Sequence, residues 1–293
     1  MNCGNHPNHE MELDLRLPEW LKNSGHRGVH NTKRLMRSFG LSTVCEEARC
    51  PNVGECFSRP TAAFMILGSK CTRNCGFCSV ASAAPDPPDL EEPARVAMAA
   101  KEMGLRYVVI TSVTRDDLYD GGAGHFAATV SHIRRCLPQA KVEILTPDFR
   151  GDLNSLEVVI HSKPDVFNHN IETVPRLYPS VRPHADYTRS LFLLEYVKKT
   201  SPGIYTKSGL MLGLGEEINE VIKVLKDLRS AGCDLLTIGQ YLRPSKMQLP
   251  VVEYISPDMF ESLRITALSL GFRFVASAPQ VRSSMNAEEM YYN

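Results

Sequence analysis

Six of the nine cysteines fall between Cys45 and Cys78, and the last three have a spacing that suits a metal cluster. Cys71, Cys75 and Cys78 form CTRNCGFC, a C-x3-C-x2-C pattern directly after an apolar run. Three thiolates on a short loop can hold three corners of a cubane iron–sulfur cluster and leave the fourth iron without a protein ligand. An open position on a catalytic metal is where substrate binds. The spacing predicts such a cluster, with a four-ligand zinc site as the alternative.

A second cysteine triad lies upstream of the first. Cys45, Cys50 and Cys56 lie in VCEEARCPNVGECF with C-x4-C-x5-C spacing. This triad is also one ligand short of four, so it suggests another cluster whose fourth ligand comes from elsewhere in the chain. The alternatives are a zinc knuckle or three buried core cysteines. A Pro- and Gly-bearing loop without an apolar rhythm is poorly explained as core.

The rest of the chain alternates between short apolar runs and amphipathic segments. We predict strands at residues 62–67, 107–111, 142–146, 166–171, 205–212, 235–240 and 272–276. We predict helices at residues 93–103, 125–136, 190–200, 219–231 and 257–270, with an earlier one near 32–39. Apolar strands that alternate with helices indicate a parallel sheet buried on both faces. About six such units favour the α/β class and a partial or complete TIM-type barrel.

Polar residues follow the predicted strands, at the end of a barrel where catalytic groups lie. They are Lys70, Thr111, Asp116, Asp117, Asn168, Asn170, Glu172 and Gln240. We divide the chain into an N-terminal extension with the second triad at 1–60, a barrel at 61–278 and a C-terminal tail at 279–293.

The bulk composition narrows the class of protein. Lys plus Arg and Asp plus Glu balance at 33 each, so no overall field favours nucleic acid or a membrane surface. No apolar run approaches the roughly 20 residues that span a bilayer. Residues 1–12 are polar and lack the apolar core of a signal peptide. We therefore expect a cytoplasmic protein with free thiols, and we expect a monomer.

The first triad resembles that of the radical S-adenosylmethionine (SAM) superfamily. There the C-x3-C-x2-C loop holds a 4Fe-4S cluster, and the amino and carboxylate groups of SAM chelate its open iron. One electron cleaves SAM to a deoxyadenosyl radical, which abstracts hydrogen from unactivated carbon. The resemblance implies that Cys71, Cys75 and Cys78 are the cluster ligands and form the catalytic centre.

The chain also resembles the lipoyl synthase family from about residue 35 to about residue 286. The matching segments are the upstream triad, CTRNCGFC, TSVTRDDLYDGGAGHF, ILTPDFRG, FNHNIETVPRLYPSVRPHADY, KSGLMLGLGE, QYLRPS and VRSS. The resemblance implies a partial (β/α)6 barrel with two 4Fe-4S clusters and SAM as cofactors. It also implies that an auxiliary cluster is held by Cys45, Cys50, Cys56 and Ser284.

The implied reaction inserts sulfur at C6 and C8 of an octanoyl chain linked to a lysine of a lipoyl carrier domain or H protein. In the family the auxiliary cluster donates its sulfide and is consumed. Two further partners are implied, a one-electron reductant such as ferredoxin or flavodoxin and a cluster-assembly protein. A saturated C–H bond offers no acid or electrophile, so a cofactor must carry the hard chemistry.

Four residues are candidates for contact with SAM. Asn170 and Glu172 occupy alternate positions of a predicted strand and so share one face. Arg182 can pair with the SAM carboxylate through two contacts. Thr111 ends the second predicted strand. The alternative for each is a structural network, because inward polar residues need hydrogen-bond partners whatever their role.

Three positions depart from the family pattern. Met285 follows Ser284 where the family has tyrosine, Gln248 replaces a customary histidine, and Ala278 begins APQ in place of Gly-Pro-Leu. We expect all three near the auxiliary site and the carrier-binding surface. The rival hypotheses are another radical SAM sulfur-inserting enzyme, similar to biotin synthase or a methylthiotransferase, and a non-catalytic zinc-binding protein.

We expect two histidines and two further cysteines to have structural roles only. A radical mechanism needs no base for hydrogen abstraction, so we expect His161 and His169 to be structural. Cys136 and Cys233 lie on apolar faces or at the ends of predicted helices, so we expect them to be core residues. Cys3 belongs to no motif that we recognise.

Overall fold

The computed structural model describes residues 16–22, 29–58 and 62–292 of the chain. Cys3 lies outside the described residues. Within those ranges, no helix combines the length and the apolar character that crossing a lipid bilayer requires.

Strands and helices alternate along most of the described chain. The strands are β1 Ser42–Thr43, β2 Ala63–Ile66, β3 Lys70–Cys71, β4 Ala81–Ser82, β5 Tyr107–Ser112, β6 Lys141–Leu145, β7 Val166–Asn168, β8 Tyr205–Leu212, β9 Leu235–Gln240 and β10 Phe274–Ser277. The α-helices are α1 Val29–Ser38, α2 Val44–Glu47, α3 Val53–Ser58, α4 Glu92–Glu102, α5 Ala123–Cys136, α6 Leu153–His161, α7 Tyr178–Val181, α8 Tyr187–Thr200, α9 Ile218–Ser230, α10 Pro257–Ser269 and α11 Ala287–Tyr292. Short 3-10 helices cover Glu19–Leu21, Phe149–Gly151 and Pro175–Leu177.

Eight of these strands form one sheet in the order β1-β2-β5-β6-β7-β8-β9-β10. Neighbours from β2 to β10 run parallel, whereas β1 runs antiparallel to β2. Six strand–helix units follow one another, in which the helices α4, α5, α6, α8, α9 and α10 connect successive parallel strands. The edges of the sheet are β1 and β10, so the barrel is partial. The predicted α/β partial barrel is confirmed, and β10, predicted at residues 272–276, is its seventh parallel strand.

Residues along the strands alternate between two apolar environments. Val108 and Ile110 belong to the large core between the sheet and the helices. Tyr107 and Val109 belong to a smaller cluster inside the barrel. This period of two determines which side chains can reach a site in the interior.

The last helix, α11, packs at the amino ends of the strands. The ring of Tyr291 lies 5.9 Å from the ring of Tyr107 and 5.6 Å from the ring of Tyr205, which begin β5 and β8. Met290 is buried in the interior cluster. The tail therefore covers the amino end of the barrel, opposite the end where barrel enzymes place their chemistry.

The differences from the sequence prediction include one strand end and one added helix in the barrel. The strand predicted to reach residue 171 ends at Asn168, so Asn170 and Glu172 do not share a strand face. Glu172 has a φ of 65°, in the left-handed region, and forms an isolated parallel bridge with Leu210 of β8. Helix α6 adds to the predicted set; Asp152 caps it by accepting a hydrogen bond from the Ser155 backbone nitrogen at 2.8 Å.

Candidate active site

One cavity of about 680 Å³ lies within the barrel and extends to the carboxyl ends of its strands. It is lined by every residue that the sequence suggested as a cluster ligand or a SAM contact. These lining residues are Cys45, Cys50, Cys56, Cys71, Cys75, Cys78, Ser284, Thr111, Asn170, Glu172 and Arg182. All six triad cysteines are free thiols. The tertiary structure therefore brings both triads to a single space.

The first triad sits on a loop closed by a short parallel pair. Cys71 lies on β3, whose pairing with β4 encloses the loop that carries Cys75 and Cys78. The Sγ atom of Cys71 accepts hydrogen bonds from the backbone nitrogens of Arg73 at 3.4 Å and Thr114 at 3.3 Å. Hydrogen bonds to cysteine sulfur are one of the levers that tune a bound iron–sulfur cluster.

The Arg73 side chain fixes this loop to the barrel. Its Nε and Nη2 atoms donate to the Asp116 carboxylate at 2.8 and 2.9 Å, and Nη2 also donates to Asp148 at 2.6 Å. Asp148 accepts a further hydrogen bond from Arg189 at 3.1 Å. Burial would raise the pKa of Asp148, but the hydrogen bond and charge of Arg73 prevail and lower it to about 2. Asp148 is therefore ionised at neutral pH and anchors the loop electrostatically.

A second clamp on the loop comes from the segment after β9. The Leu249 backbone nitrogen donates to the Gly76 carbonyl at 2.8 Å, and a Cβ atom on Gly76 would lie 2.8 Å from the Ser180 carbonyl oxygen. The Gln248 side chain donates to the Cys78 carbonyl at 3.2 Å. Gln248 therefore contacts the loop of the first triad, and its expected proximity to the auxiliary triad stays a prediction.

The second triad is carried by two short helices rather than by a plain loop. Cys45 lies on α2, Cys56 lies on α3, and Cys50 lies between them. Thr43 caps α2 by accepting a hydrogen bond from the Glu46 backbone nitrogen at 3.3 Å.

The C-terminal tail meets this helical segment through Asn52, between Cys50 and Cys56. Its Nδ2 atom donates to the Gln280 carbonyl at 2.6 Å and to the Met285 Sδ atom at 3.1 Å. Met285 is therefore close to the auxiliary triad, as its sequence position suggested. The amide of Ala278 instead donates to the Ile238 carbonyl of β9 at 3.2 Å.

The buried thiols are electrostatically suited to a cationic cofactor. Burial raises the pKa of Cys45 and of Cys78 to about 12. Burial also raises the pKa of Cys75, although the Arg182 guanidinium opposes the shift. Metal ligation requires the thiolate, and a bound iron supplies the positive charge that stabilises it. The donor set therefore fits iron–sulfur clusters.

The arrangement of the donors also bears on the zinc alternative. In the described part of the chain, no three Cys, His, Asp or Glu side chains converge on one point as ligands of a single ion. The thiolates of a cubane bind different irons and need no such convergence.

Arg182 lines the cavity and carries one buried donor without a partner among the described residues. Its Nη1 atom donates to the carbonyls of Asn170 at 3.0 Å and Ile171 at 3.2 Å. Its Nε atom is buried and has no hydrogen-bond partner among the described residues. A buried donor without a partner is costly, so this atom marks a place for an acceptor from a ligand.

Three further polar residues, Asn170, Glu172 and Thr111, line the same cavity. Burial raises the pKa of Glu172, against the charge of Arg182 and a hydrogen bond that Asn170 donates at 3.1 Å. The Thr111 hydroxyl donates to the Leu145 carbonyl at 3.0 Å.

Several polar residues at the strand ends have structural partners instead. Asp117 pairs with Arg115 at 2.9 Å, and Lys70 pairs with Asp86 at 2.9 Å. The Gln240 side chain donates to three carbonyls around the end of β9.

Both histidines are bonded as structural residues. His169 is buried against the Thr146 carbonyl and the Ser190 hydroxyl, at 2.9 and 3.0 Å. His161 is exposed and lies 3.4 Å from Glu157. Cys233 is buried and Cys136 packs at the edge of the core.

Sequence reasoning missed the residues that hold the triads in place, notably Arg73, Asp148 and Asn52. A usable signal was present for the first two. Arg73 lies inside the CTRNC motif, and Asp148 lies shortly after the end of β6. A charged residue at either place needs a buried partner.

Comparison with known proteins decides the family. A model described as the radical SAM superfamily matches residues 65–228, and one for the N-terminal domain of lipoyl synthase matches residues 3–50. The chain is 56% identical to a lipoyl synthase of Alkaliphilus metalliredigens, over 94% of this chain and 95% of that protein. It is 53% identical to a lipoyl synthase of Proteus mirabilis, over 95% of this chain and 88% of that protein. The chain belongs to the lipoyl synthase family.

Solved structures support the fold of this lipoyl synthase family member. A crystal structure of methylornithine synthase superposes with a TM-score of 0.54 at 15% identity, covering 91% of this chain and 88% of the other. Streptococcus suis SuiB bound to S-adenosylmethionine gives a TM-score of 0.56 at 15% identity, covering 84% of this chain and 60% of the other. These likenesses confirm the architecture alone.

Membership of the lipoyl synthase family gives the reaction. The enzyme uses radical SAM chemistry to insert sulfur and form the lipoyl group, with SAM and 4Fe-4S clusters as cofactors. It acts on lipoyl carrier proteins. Neither the zinc-binding nor the biotin-synthase-like hypothesis agrees with this assignment.

Proposed function

We propose that the two triads divide the reaction between two clusters that face one cavity. Cys71, Cys75 and Cys78 hold the cluster that reduces SAM. The second triad holds the cluster that supplies sulfide to C6 and C8 of a lysine-bound octanoyl chain. The observation that carries this proposal is the convergence of all six free thiols on a single cavity of about 680 Å³.

Arg182 and Glu172 fit the methionine end of SAM. The unpartnered Nε atom of Arg182 suits a carboxylate. Glu172, oriented by Asn170, suits the amino group or the ribose hydroxyls. Thr111 lines the same cavity. Opposite charges at these positions orient the cofactor between the first triad and the interior.

Ser284 completes the auxiliary ligand set together with Cys45, Cys50 and Cys56. It lines the cavity, and its hydroxyl has no hydrogen-bond partner among the described residues. An oxygen donor is a poorer match for cluster iron than a thiolate. A weakly held iron makes a cluster easier to dismantle, which suits a sulfur donor.

The bound cofactors supply the radical and the sulfide, and the residues of the chain confine them. The Arg73 and Gln248 contacts hold the loop of the first triad in place.

The partners follow from this chemistry. An octanoylated carrier domain or H protein presents the chain, a one-electron donor of the ferredoxin or flavodoxin kind reduces the first cluster, and a cluster-assembly protein rebuilds the second. Six thiolate ligands require a reducing compartment, which favours the cytoplasm. One chain supplies all of the proposed ligands, so a monomer suffices.

The test is anaerobic incubation of the reconstituted protein with SAM, dithionite and an octanoyl-lysine peptide. Mass spectrometry follows deoxyadenosine and the peptide together. We expect a mass gain of two sulfurs with about two deoxyadenosines per product, since one radical abstracts one hydrogen. Deoxyadenosine without any gain of sulfur would contradict the substrate assignment.

A further inference from the structure

A buried ion pair lies in the barrel interior and has no part in the proposed chemistry. Glu143 of β6 and Lys207 of β8 are both 0% exposed, with Nζ 3.0 and 3.1 Å from the two carboxylate oxygens. The Tyr107 hydroxyl donates to the same carboxylate at 2.7 Å. Because removing two charges from water costs free energy of folding, we asked what this buried pair does for its neighbours.

The ion pair sets the orientation of Asn168. The Asn168 Nδ2 atom donates to Glu143 at 2.8 Å and to the Ser283 hydroxyl at 2.9 Å. Its Oδ1 atom is buried and has no partner among the described residues. The acceptors on the Nδ2 side therefore decide which way the amide points.

Ser283 is held on both of its hydrogen-bonding sides. Its oxygen accepts from Asn168, and its proton goes to the Asn170 Oδ1 atom at 3.0 Å. Asn170 in turn donates to Glu172. Hydrogen bonds that run outward from Asn168 thus join Glu143 to Glu172 through Ser283.

The rest of the 280–285 segment is fixed from other directions. Asn52 binds the Gln280 carbonyl and the Met285 sulfur. A Cβ atom on Gly239 would lie 2.1 Å from the Val281 carbonyl oxygen, so the tail contacts β9 at a place that only glycine permits. Ser284 lies between two anchored neighbours.

We propose that Ser283, oriented by Asn168 and the Glu143–Lys207 pair, is a positioning residue for the auxiliary cluster. Its two hydrogen bonds hold the turn so that the Ser284 hydroxyl alone is available to the fourth iron. This inference rests on the assignment of Ser284 in the proposed function. A single oxygen ligand gains most from rigid support, since partners beyond the ligands usually set ligand orientation.

The test uses the full chain with Cys71, Cys75 and Cys78 all replaced by alanine, so that only the auxiliary cluster can assemble. Ser283→Ala, Ser283→Thr and Ser284→Ala are made in this background. Ser277→Ala is the matched control, because Ser277 donates to the Phe260 carbonyl, and Ser277 is not among the cavity-lining residues. Iron and sulfide contents, Mössbauer spectra and the EPR signal of a three-iron cluster are measured after anaerobic reconstitution.

We expect Ser283→Ala to raise the three-iron fraction at least threefold, as Ser284→Ala does. Ser283→Thr, which retains the hydroxyl, and Ser277→Ala should match the parent. Circular dichroism checks folding; if Ser283→Ala does not fold, Asn168→Ala removes the same support and should give the same spectrum. If Ser284→Ala loses iron but Ser283→Ala gives the parental spectrum, the positioning role of Ser283 is overturned and the ligand assignment of Ser284 stands. A parental spectrum for Ser284→Ala overturns the ligand assignment in the proposed function, and this inference with it.

Discussion

The Nη2 atom of Arg73 lies 2.6 Å from the Oδ1 atom of Asp148, although 75 positions separate the two residues. Their side chains are 7% and 0% exposed. The pair joins the loop of the first triad to the chain after β6, so its integrity should decide how firmly that loop is held.

Asp148→Asn should lower the free energy of unfolding by about 3 kcal/mol, because it leaves part of a buried guanidinium charge without a counter-ion. It should also reduce retention of the first cluster. Urea unfolding followed by circular dichroism and iron analysis measure both effects. Asp89→Asn removes an exposed partner of Arg95 and should change neither; equal losses in both variants would contradict the anchoring role.

The two triads should be separable by mutation. Cys75→Ala should abolish deoxyadenosine formation, whereas Cys50→Ala should spare it and stop sulfur transfer. Cys136→Ala, which changes a cysteine outside both triads, should retain both activities. Liquid chromatography with mass spectrometry reads both products. Lipoyl product from the Cys50 variant would show that the second triad is not the donor.

Arg182→Lys should weaken SAM binding about tenfold, since lysine keeps the charge but cannot keep the carbonyl contacts while reaching a carboxylate. Equilibrium dialysis with labelled SAM measures the affinity. Arg176→Lys alters an exposed arginine paired with Glu220 and should leave SAM affinity unchanged. An unaltered affinity in the Arg182 variant would remove it from the SAM site.

Lys207→Met should destabilise the protein by about 3–5 kcal/mol, because it strands the buried charge of Glu143. Adding Glu143→Gln to the same chain should recover part of the loss, since no uncompensated charge remains. Chemical unfolding gives the values. Lys199→Met, at an exposed pair with Glu195, should have little effect.

The stability of the protein should depend on pH through His169. Burial, with repulsion from Arg182, lowers the pKa of His169 from 6.5 to about 4. Between these two pKa values the unfolded chain binds a proton at His169 that the folded protein does not bind. The contribution of neutral His169 to the free energy of unfolding is therefore complete above about pH 6.5 and is lost as the pH falls toward 4. The shift corresponds to roughly 3 kcal/mol.

Unfolding curves between pH 7 and 4 should be flatter for His169→Asn than for the parent. His161→Asn removes an exposed histidine and should keep the parental slope. Parallel curves for the parent and the His169 variant would show that other groups govern the acid limb.

Local patterns were enough to predict the strands and the two triads. The strands from β5 to β9 are short apolar runs bounded by polar turns, so the sequence pattern reveals them without tertiary information. Residues 169–171 continue the same pattern but lie outside β7, and periodicity cannot reveal the left-handed conformation of Glu172 that follows them.

The sequence by itself predicted a metal cluster, because the three cysteines of CTRNCGFC lie within a few residues of each other and their spacing can be seen without tertiary information. The tertiary structure alone decided how the parts meet. Asn168 reaches Ser283 across 115 positions, and Asn52 reaches Met285 across 233. Contacts at such separations depend on barrel geometry and on the docking of the tail, which no short window of sequence encodes.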